Sequence, residues 1–275
     1  MKNIFVSVDI EGIWGMAAQQ GARKDTPAYI HARENMINET NLVIEQLAKN
    51  GVENILVSDS HGSMDNLIPS KLNPRASFIV GNADYRALGM MEGIDSSFDG
   101  CMFIGYHARE GTIGAVLNHT MSSRYIYKIE LNGIEAGETM LNAHLASYYN
   151  VPLLLVAGDD KYIEQSQGEF NDELITVETK KAINRELALS IPYDKLKQEY
   201  EFKIKQALNS KGVLLNKKDK YEIKITFFTE DLAGFVASIP TVTRIDNKTI
   251  SIDGSDYLEA YKLLAFCLKA CSVIR

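Results

Sequence analysis

Cysteine is scarce in this 275-residue chain, with three residues at positions 101, 267 and 271 and no Cys-x-x-Cys pair. That is too few for a disulfide framework, and thiolate metal sites and redox pairs are not indicated. Cys267 and Cys271 lie four apart on an expected helix, a spacing that suits core positions. Long apolar runs are also missing. The longest, around residues 151–158, falls far short of the ~20 residues of a membrane helix. The N-terminal MKNIFVSVDIEG meets Asp9 and Glu11 before an apolar stretch of signal-peptide length can form. The expectation is a soluble cytoplasmic protein with no membrane partner. An excess of positive charge is absent too: 29 Lys+Arg stand against 36 Asp+Glu, a net charge of −7. The densest basic stretch, Lys217-Lys218-Asp219-Lys220, is short, carries an acid and reads as a solvated loop. A phosphate-backbone binder needs a basic face, so no nucleic-acid partner is expected. The sequence also lacks G-x-G-x-x-G, G-x-x-x-x-G-K-[ST], G-x-S-x-G and H-E-x-x-H. This argues against nucleotide-cofactor and serine-hydrolase chemistry.

What is present is an alternation of apolar runs and helical patterns. Residues 3–10 (NIFVSVDI), 54–58 (NILVS), 77–80 (SFIV), 101–106 (CMFIGY) and 151–157 (VPLLLVA) read as buried strands. Met36, Ile37, Val43, Ile44 and Leu47 recur at helical period over residues 31–49, and Asn50-Gly51 ends that helix. Residues 125–134 contain Asn132-Gly133, a hairpin turn, and residues 137–149 form a helix. Residues 167–189 read as a strand at 174–177 followed by a helix. After residue 190 come a charged amphipathic helix (192–209), an alternating strand (221–229), a hairpin around Asp246-Asn247 and a closing helix (255–272). The expected fold is α/β: a mostly parallel, doubly wound sheet domain over residues 1–190, with a smaller α+β subdomain over 191–275.

Acids and histidines fall where those strands end. Asp9 and Glu11 close the first strand, and two residues apart they are expected on one face. His61 follows the second strand, His107 the fourth, and Asp159-Asp160 the fifth. Open α/β sheets build their sites outside the carboxyl ends of the strands. Singly, each residue has an ordinary structural reading: Asp9 a turn cap, Glu11 solvated, His61 bonded to backbone, Asp59 and Asp160 caps. Those readings leave the coincidence unexplained, because the chain has only five histidines. Imidazole and carboxylate without thiolate suit zinc or a similar divalent ion, and a shared aspartate suits a pair of them. His119 admits three readings: ligand, general acid/base or core histidine. Gly111 and Gly114 before it suggest a site needing close backbone approach. Glu138 falls in the first turn of a helix, where an acid complements the dipole. His31 and His144 read as structural.

Seven segments in order carry a resemblance: SVDIEGIWG (7–15), SDSHG (58–62), MMEGID (90–95), FIGYHAREGT (103–112), NHTM (118–121), GETMLNA (137–143) and VPLLLVAGDD (151–160). With them the chain resembles the zinc-dependent D-aminopeptidases of the bacterial dipeptide-permease operon type. The resemblance spans residues 1–190; beyond, it rests on length and the closing helix. It implies two zinc ions, Asp9 as the bridging ligand, Glu11, His61, His107 and Glu138 as the others, and His119 as the catalytic histidine. It implies a short-peptide substrate with an N-terminal D-residue such as D-Ala, and a ring homo-oligomer, a pentamer or stacked decamer. Trp14 and Glu110 depart from the family pattern and are expected to flank the site and shape substrate access. Two other functions fit the same ligands: a metal-dependent amide or ester hydrolase with another substrate, and a metal-binding protein without turnover.

Overall fold

The computed structural model describes residues 1–170 and 174–274. In chain order the elements are β1 (Asn3–Val8), α1 (Pro27–Lys49), β2 (Asn54–Asp59), β3 (Ser77–Ile79), β4 (Gly100–Ile104), β5 (Ile126–Leu131), β6 (Ile134–Glu135), α2 (Glu138–Tyr148), β7 (Leu153–Asp159), α3 (Asp160–Phe170), β8 (Ile175–Asn184), β9 (Leu187–Ser190), α4 (Tyr193–Leu208), β10 (Tyr221–Phe227), α5 (Glu230–Val236), β11 (Val242–Arg244), β12 (Thr249–Gly254) and α6 (Tyr257–Cys271). Seven strands form one sheet in the order β3-β2-β1-β4-β7-β8-β9, parallel throughout except for β9. The chain builds outward from β1 to β3, then returns beside β1 with β4 and builds the other way. The direction reverses between β1 and β4, and there the loops leaving the strands part to open a crevice.

Both faces of this sheet are covered, as the unbroken apolar strands require. In β1 the period-two alternation sends Ile4, Val6 and Val8 to the face packed by α1 and α4. Phe5 points the other way, into a core shared with Phe103, the helices α2, α3 and α6, and a second, antiparallel sheet ordered β11-β12-β10-β5-β6. Asn132 (φ 52°) and Gly133 (φ 78°) turn β5 into β6, as the Asn-Gly pair predicts. The second sheet draws strands from both sides of residue 190, and α4 after it lies on α1 and β8, so the two sheets do not divide there.

Four elements differ from the sequence reading, one of them the short helix α5, which was not expected between β10 and β11. Helix α1 starts at Pro27, four residues ahead of the expected start, because Thr26 accepts the Tyr29 N–H at 3.1 Å and proline suits the first turn. Helix α3, not anticipated, starts directly at the end of β7, where the Asp159 carboxylate accepts the N–H groups of Lys161 and Tyr162. The helix expected after residue 177 is instead the β8–β9 hairpin, whose odd positions Ile175, Val177 and Thr179 are buried. A buried lysine, Lys180, disguises that alternation.

His144 on α2 packs against the rings of Tyr221 and Tyr257. Burial, with Lys218 adding to it, pulls its imidazole down to about 4. A group held below its unfolded value of about 6.5 favours folding above that pH. The contribution is lost as pH falls from about 6.5 toward 4. Partial exposure limits it to about 2 kcal/mol. Chemical denaturation of the protein and of His144→Gln between pH 7 and 4 should therefore give curves that converge on acidification. Parallel curves would refute the assignment.

Candidate metal centre

Glycine lets the crevice close tightly enough to gather its ligands. A Cβ on Gly12 would lie 1.9 Å from the Tyr106 carbonyl oxygen, and one on Gly105 (φ 70°) 2.2 Å from the Asp9 carbonyl oxygen. Only glycine permits this approach of the β1 and β4 loops. Gly12 N–H donates to the Gly105 carbonyl at 2.7 Å, and Asp9 N–H to Ile104 at 2.8 Å. Strand β1 ends at Val8, so Asp9 and Glu11 both lie in the loop beyond it. Their convergence comes from the bend of that loop and not from strand alternation.

Two groups of side chains result. Asp9, Glu11 and His61 offer ligand atoms within 4.8 Å of one another, and so do His107, His119 and Glu138. His61 Nδ1 lies 3.2 Å from Asp9 Oδ1 and 3.0 Å from Glu11 Oε2. His107 Nε2 lies 3.5 Å from Asp9 Oδ2 and 3.4 Å from Glu138 Oε1. Asp9 thus turns one carboxylate oxygen to each group. The strand-end acids Asp159 and Asp160 join neither. Asp159 accepts the Val116 N–H at 3.2 Å, and Asp160 accepts the Ala182 N–H at 2.7 Å.

Each imidazole has one nitrogen against a backbone carbonyl. His61 Nε2 is 2.9 Å from Ala22 O, His107 Nδ1 3.0 Å from Ala108 O, and His119 Nδ1 2.8 Å from Leu117 O. A carbonyl only accepts, so that nitrogen carries the hydrogen in the neutral ring. The remaining nitrogen then turns a lone pair toward carboxylate oxygens, a repulsive arrangement that a cation relieves. His107 Nε2 is the clearest case, buried and without a hydrogen-bond partner. The donor set therefore fits a divalent metal of the zinc type, which takes neutral imidazole and carboxylate.

The titration of these groups reflects the same demand. Burial pushes the Asp9 carboxyl up to about 8, with Glu11 adding to it. Against burial, Glu138 and Asp9 drive His107 up to about 10. Against burial, Glu11 and Asp9 hold His61 well above the usual imidazole range. Clustered carboxylates call for positive charge, which protons supply when no metal does.

The scaffold behind the ligands is specific. Glu138 is the first residue of α2 and accepts the Met121 N–H at 2.6 Å. Leu117 (φ 46°) and Met121 (φ 62°) flank His119 in the left-handed region, so this loop stores backbone strain beside the site. Gly111 and Gly114 also have positive φ, but a Cβ on either would meet nothing within 4 Å. They serve turns and not the close approach expected of them. Asp59 accepts the N–H groups of Asn66 and Leu67, as a cap should. Buried Arg86 donates to Ser58 Oγ and to the carbonyls of Asp59, Met64 and Ile79, tying down the His61 loop.

A cleft of about 560 Å³ opens on Asp9, Glu11, His61, His119 and Glu138. Its far wall comes from α6, through Tyr261, Leu264, Leu268 and Lys269. Neither Trp14 nor Glu110, expected to flank the site, lines it. Trp14 turns toward α4, donating from Nε1 to the Ile191 carbonyl and packing its ring at a tilt against Tyr193. The α6 wall and the Arg86 tether are parts of the site's surroundings that the sequence did not signal. The amphipathic pattern of α6 predicts a helix but not which strands it meets.

Comparison with known proteins finds relatives over nearly the whole chain. The peptidase M55 family model, described as D-aminopeptidase, matches residues 1–266. A D-aminopeptidase from Bacillus subtilis (strain 168) is 33% identical over 266 residues, covering 95% of this chain and 94% of that protein. The solved structure of the Zn-dependent D-aminopeptidase DppA from Bacillus subtilis, described as a self-compartmentalizing protease, superposes with a TM-score of 0.91 at 30% identity, covering 99% of this chain and 98% of that one.

Proposed function

The chain belongs to the peptidase M55 family of D-aminopeptidases, and from that premise we propose that it is a zinc-dependent aminopeptidase that removes the N-terminal residue, a D-amino acid such as D-Ala, from short peptides. The observation that carries the reading is the split of Asp9, one oxygen toward His61 and Glu11, the other toward His107 and Glu138. We assign two zinc ions per subunit on that basis, with Asp9, Glu11 and His61 holding one and Asp9, His107 and Glu138 the other. Zinc held so lowers the pKa of a bound water to about 7 and polarises a carbonyl oxygen.

The chain's own residues supply the rest. The cleft would take a peptide with its free α-amine, in the neutral form, toward the metal-holding floor, which brings its first peptide bond to the site. That placement accounts for exopeptidase action. The apolar side chains of Met90, Met121 and Leu264 line the cleft and exclude water. His119 is our catalytic residue. Its side chain is 14% exposed and lines the cleft, whereas that of His107 is 1% exposed. With Nδ1 committed to Leu117, its Nε2 takes up or releases the proton that the leaving amine needs.

Among the described residues no helix is long and apolar enough to cross a membrane. The three cysteines are free and buried, in keeping with a cytoplasmic location. We further propose a homo-oligomer, a ring pentamer or stacked decamer. Ile113, Tyr85 and Ile134, at 91%, 89% and 68% exposure, are apolar surface available for such contacts.

The test is hydrolysis of paired D-Ala and L-Ala peptides and anilides, with zinc counted on the same sample. About two zinc ions per chain with cleavage of the D-form alone is expected. Two zinc ions without cleavage of either would favour an amide or ester hydrolase of other substrate, or a metal-binding protein without turnover. Failure to take up zinc would refute the reading.

A further inference from the structure

Lys180 on β8 is fully buried. The order β1-β4-β7-β8 places it two strands away from a direct neighbour of β1. Its Nζ nevertheless reaches the loop after β1, donating to the carbonyls of Glu11 at 2.5 Å, Ile13 at 2.9 Å and Met16 at 2.5 Å. The preceding residue, Thr179, donates from its hydroxyl to the Gly12 carbonyl at 2.7 Å. Adjacent residues of a regular strand point to opposite faces. Here both are buried, beside the register shift where β8 meets Gly158 and Asp159.

An ammonium group has three hydrogens, and three carbonyls consume them all. Carbonyl oxygens converging on one buried point repel one another unless a cation lies between them, so the curve of this loop depends on Lys180. The same curve turns the Glu11 carboxylate back to His61. On the reading that Glu11 is a metal ligand, we propose that Lys180 is a positioning residue for the metal centre: its ammonium gathers the carbonyls of Glu11, Ile13 and Met16 and so aims the Glu11 carboxylate at the zinc site.

The experiment compares zinc affinity of the full-length protein with that of Lys180→Met and Glu11→Gln, by competition with a chromophoric chelator, together with the melting temperature of each metal-free protein. Lys180→Met is expected to bind zinc about 10–100-fold more weakly at one site, the range for groups that orient metal ligands. A purely structural lysine would lower the melting temperature and leave the zinc affinity of the folded protein within about twofold. That result, with Glu11→Gln weakened, overturns the positioning role alone. Unchanged affinity in both variants overturns the reading of Glu11 as a ligand. Should Lys180→Met fail to fold, Thr179→Val removes one tether of the same loop. It is expected to weaken zinc binding several-fold, and unchanged affinity there refutes the proposal.

Discussion

Replacing Asp9 by alanine is expected to remove bound zinc and peptidase activity together. Asp9 is the one carboxylate that faces both ligand groups, with Oδ1 3.2 Å from His61 and Oδ2 3.5 Å from His107. Losing Glu11 or Glu138 depletes one group; losing Asp9 depletes both. The loss in kcat/KM should be at least about 10³-fold, some 4 kcal/mol of transition-state stabilisation. Zinc per chain should fall from about two toward zero in the same preparation. Asp9→Asn separates charge from shape, because the amide keeps the volume and discards the negative charge that zinc requires. It should behave like alanine in metal content while retaining the fold, since the anchoring Asp9 N–H to Ile104 bond is a backbone bond. Full zinc occupancy in Asp9→Ala would show that the two groups do not share a ligand, and the assignment of Asp9 as a bridge would fall.

His119→Ala is expected to behave oppositely, keeping zinc and losing turnover. Three protein ligands per metal are already available without His119, and such sites leave a position open for substrate. Its Nε2 is 3.9 Å from Glu138 Oε1, farther than the 3.4 Å of His107, and its ring stacks on that of His107 with centroids 4.0 Å apart. On the proposed reading, the stacked, cleft-facing imidazole is placed to meet substrate and the buried one beneath it to hold metal. Removing a general acid/base costs about 10²–10⁴-fold in kcat. Steady-state kinetics with zinc content measured on the same protein checks this. Zinc lost in proportion to activity would make His119 a ligand and end its catalytic assignment.

Much of this was legible in the sequence because the signals are local. Apolar strands 4–8 residues long, separated by helical periods, imply a parallel sheet, and a parallel sheet implies a site at the carboxyl ends of its strands. Asp9, Glu11, His61 and His107 follow from that rule. Glu138 and His119 do not: an acid in a first helical turn and a histidine in a loop have ordinary explanations, and only the family resemblance singled them out. Trp14 shows the limit in the other direction. Its place in a motif suggested contact with substrate, yet its indole turns to the carbonyl of Ile191 and the ring of Tyr193, residues over 170 positions away. The β8–β9 hairpin was missed because a buried lysine in a strand reads as a solvated helix face.

The sequence by itself determined most of the elements, the parallel pairing of the strands around β1 and the chemical kind of the site, since periodicity and ligand chemistry are properties of neighbouring residues. The tertiary structure alone decided which carboxylate oxygen faces which histidine, which imidazole is buried beneath the other, and that α6 walls the cleft. Those outcomes depend on contacts between residues far apart in the chain. Glycine clearance at positions 12 and 105, the carbonyl partners that orient each imidazole and the ammonium of Lys180 set them, and no local pattern records such distances.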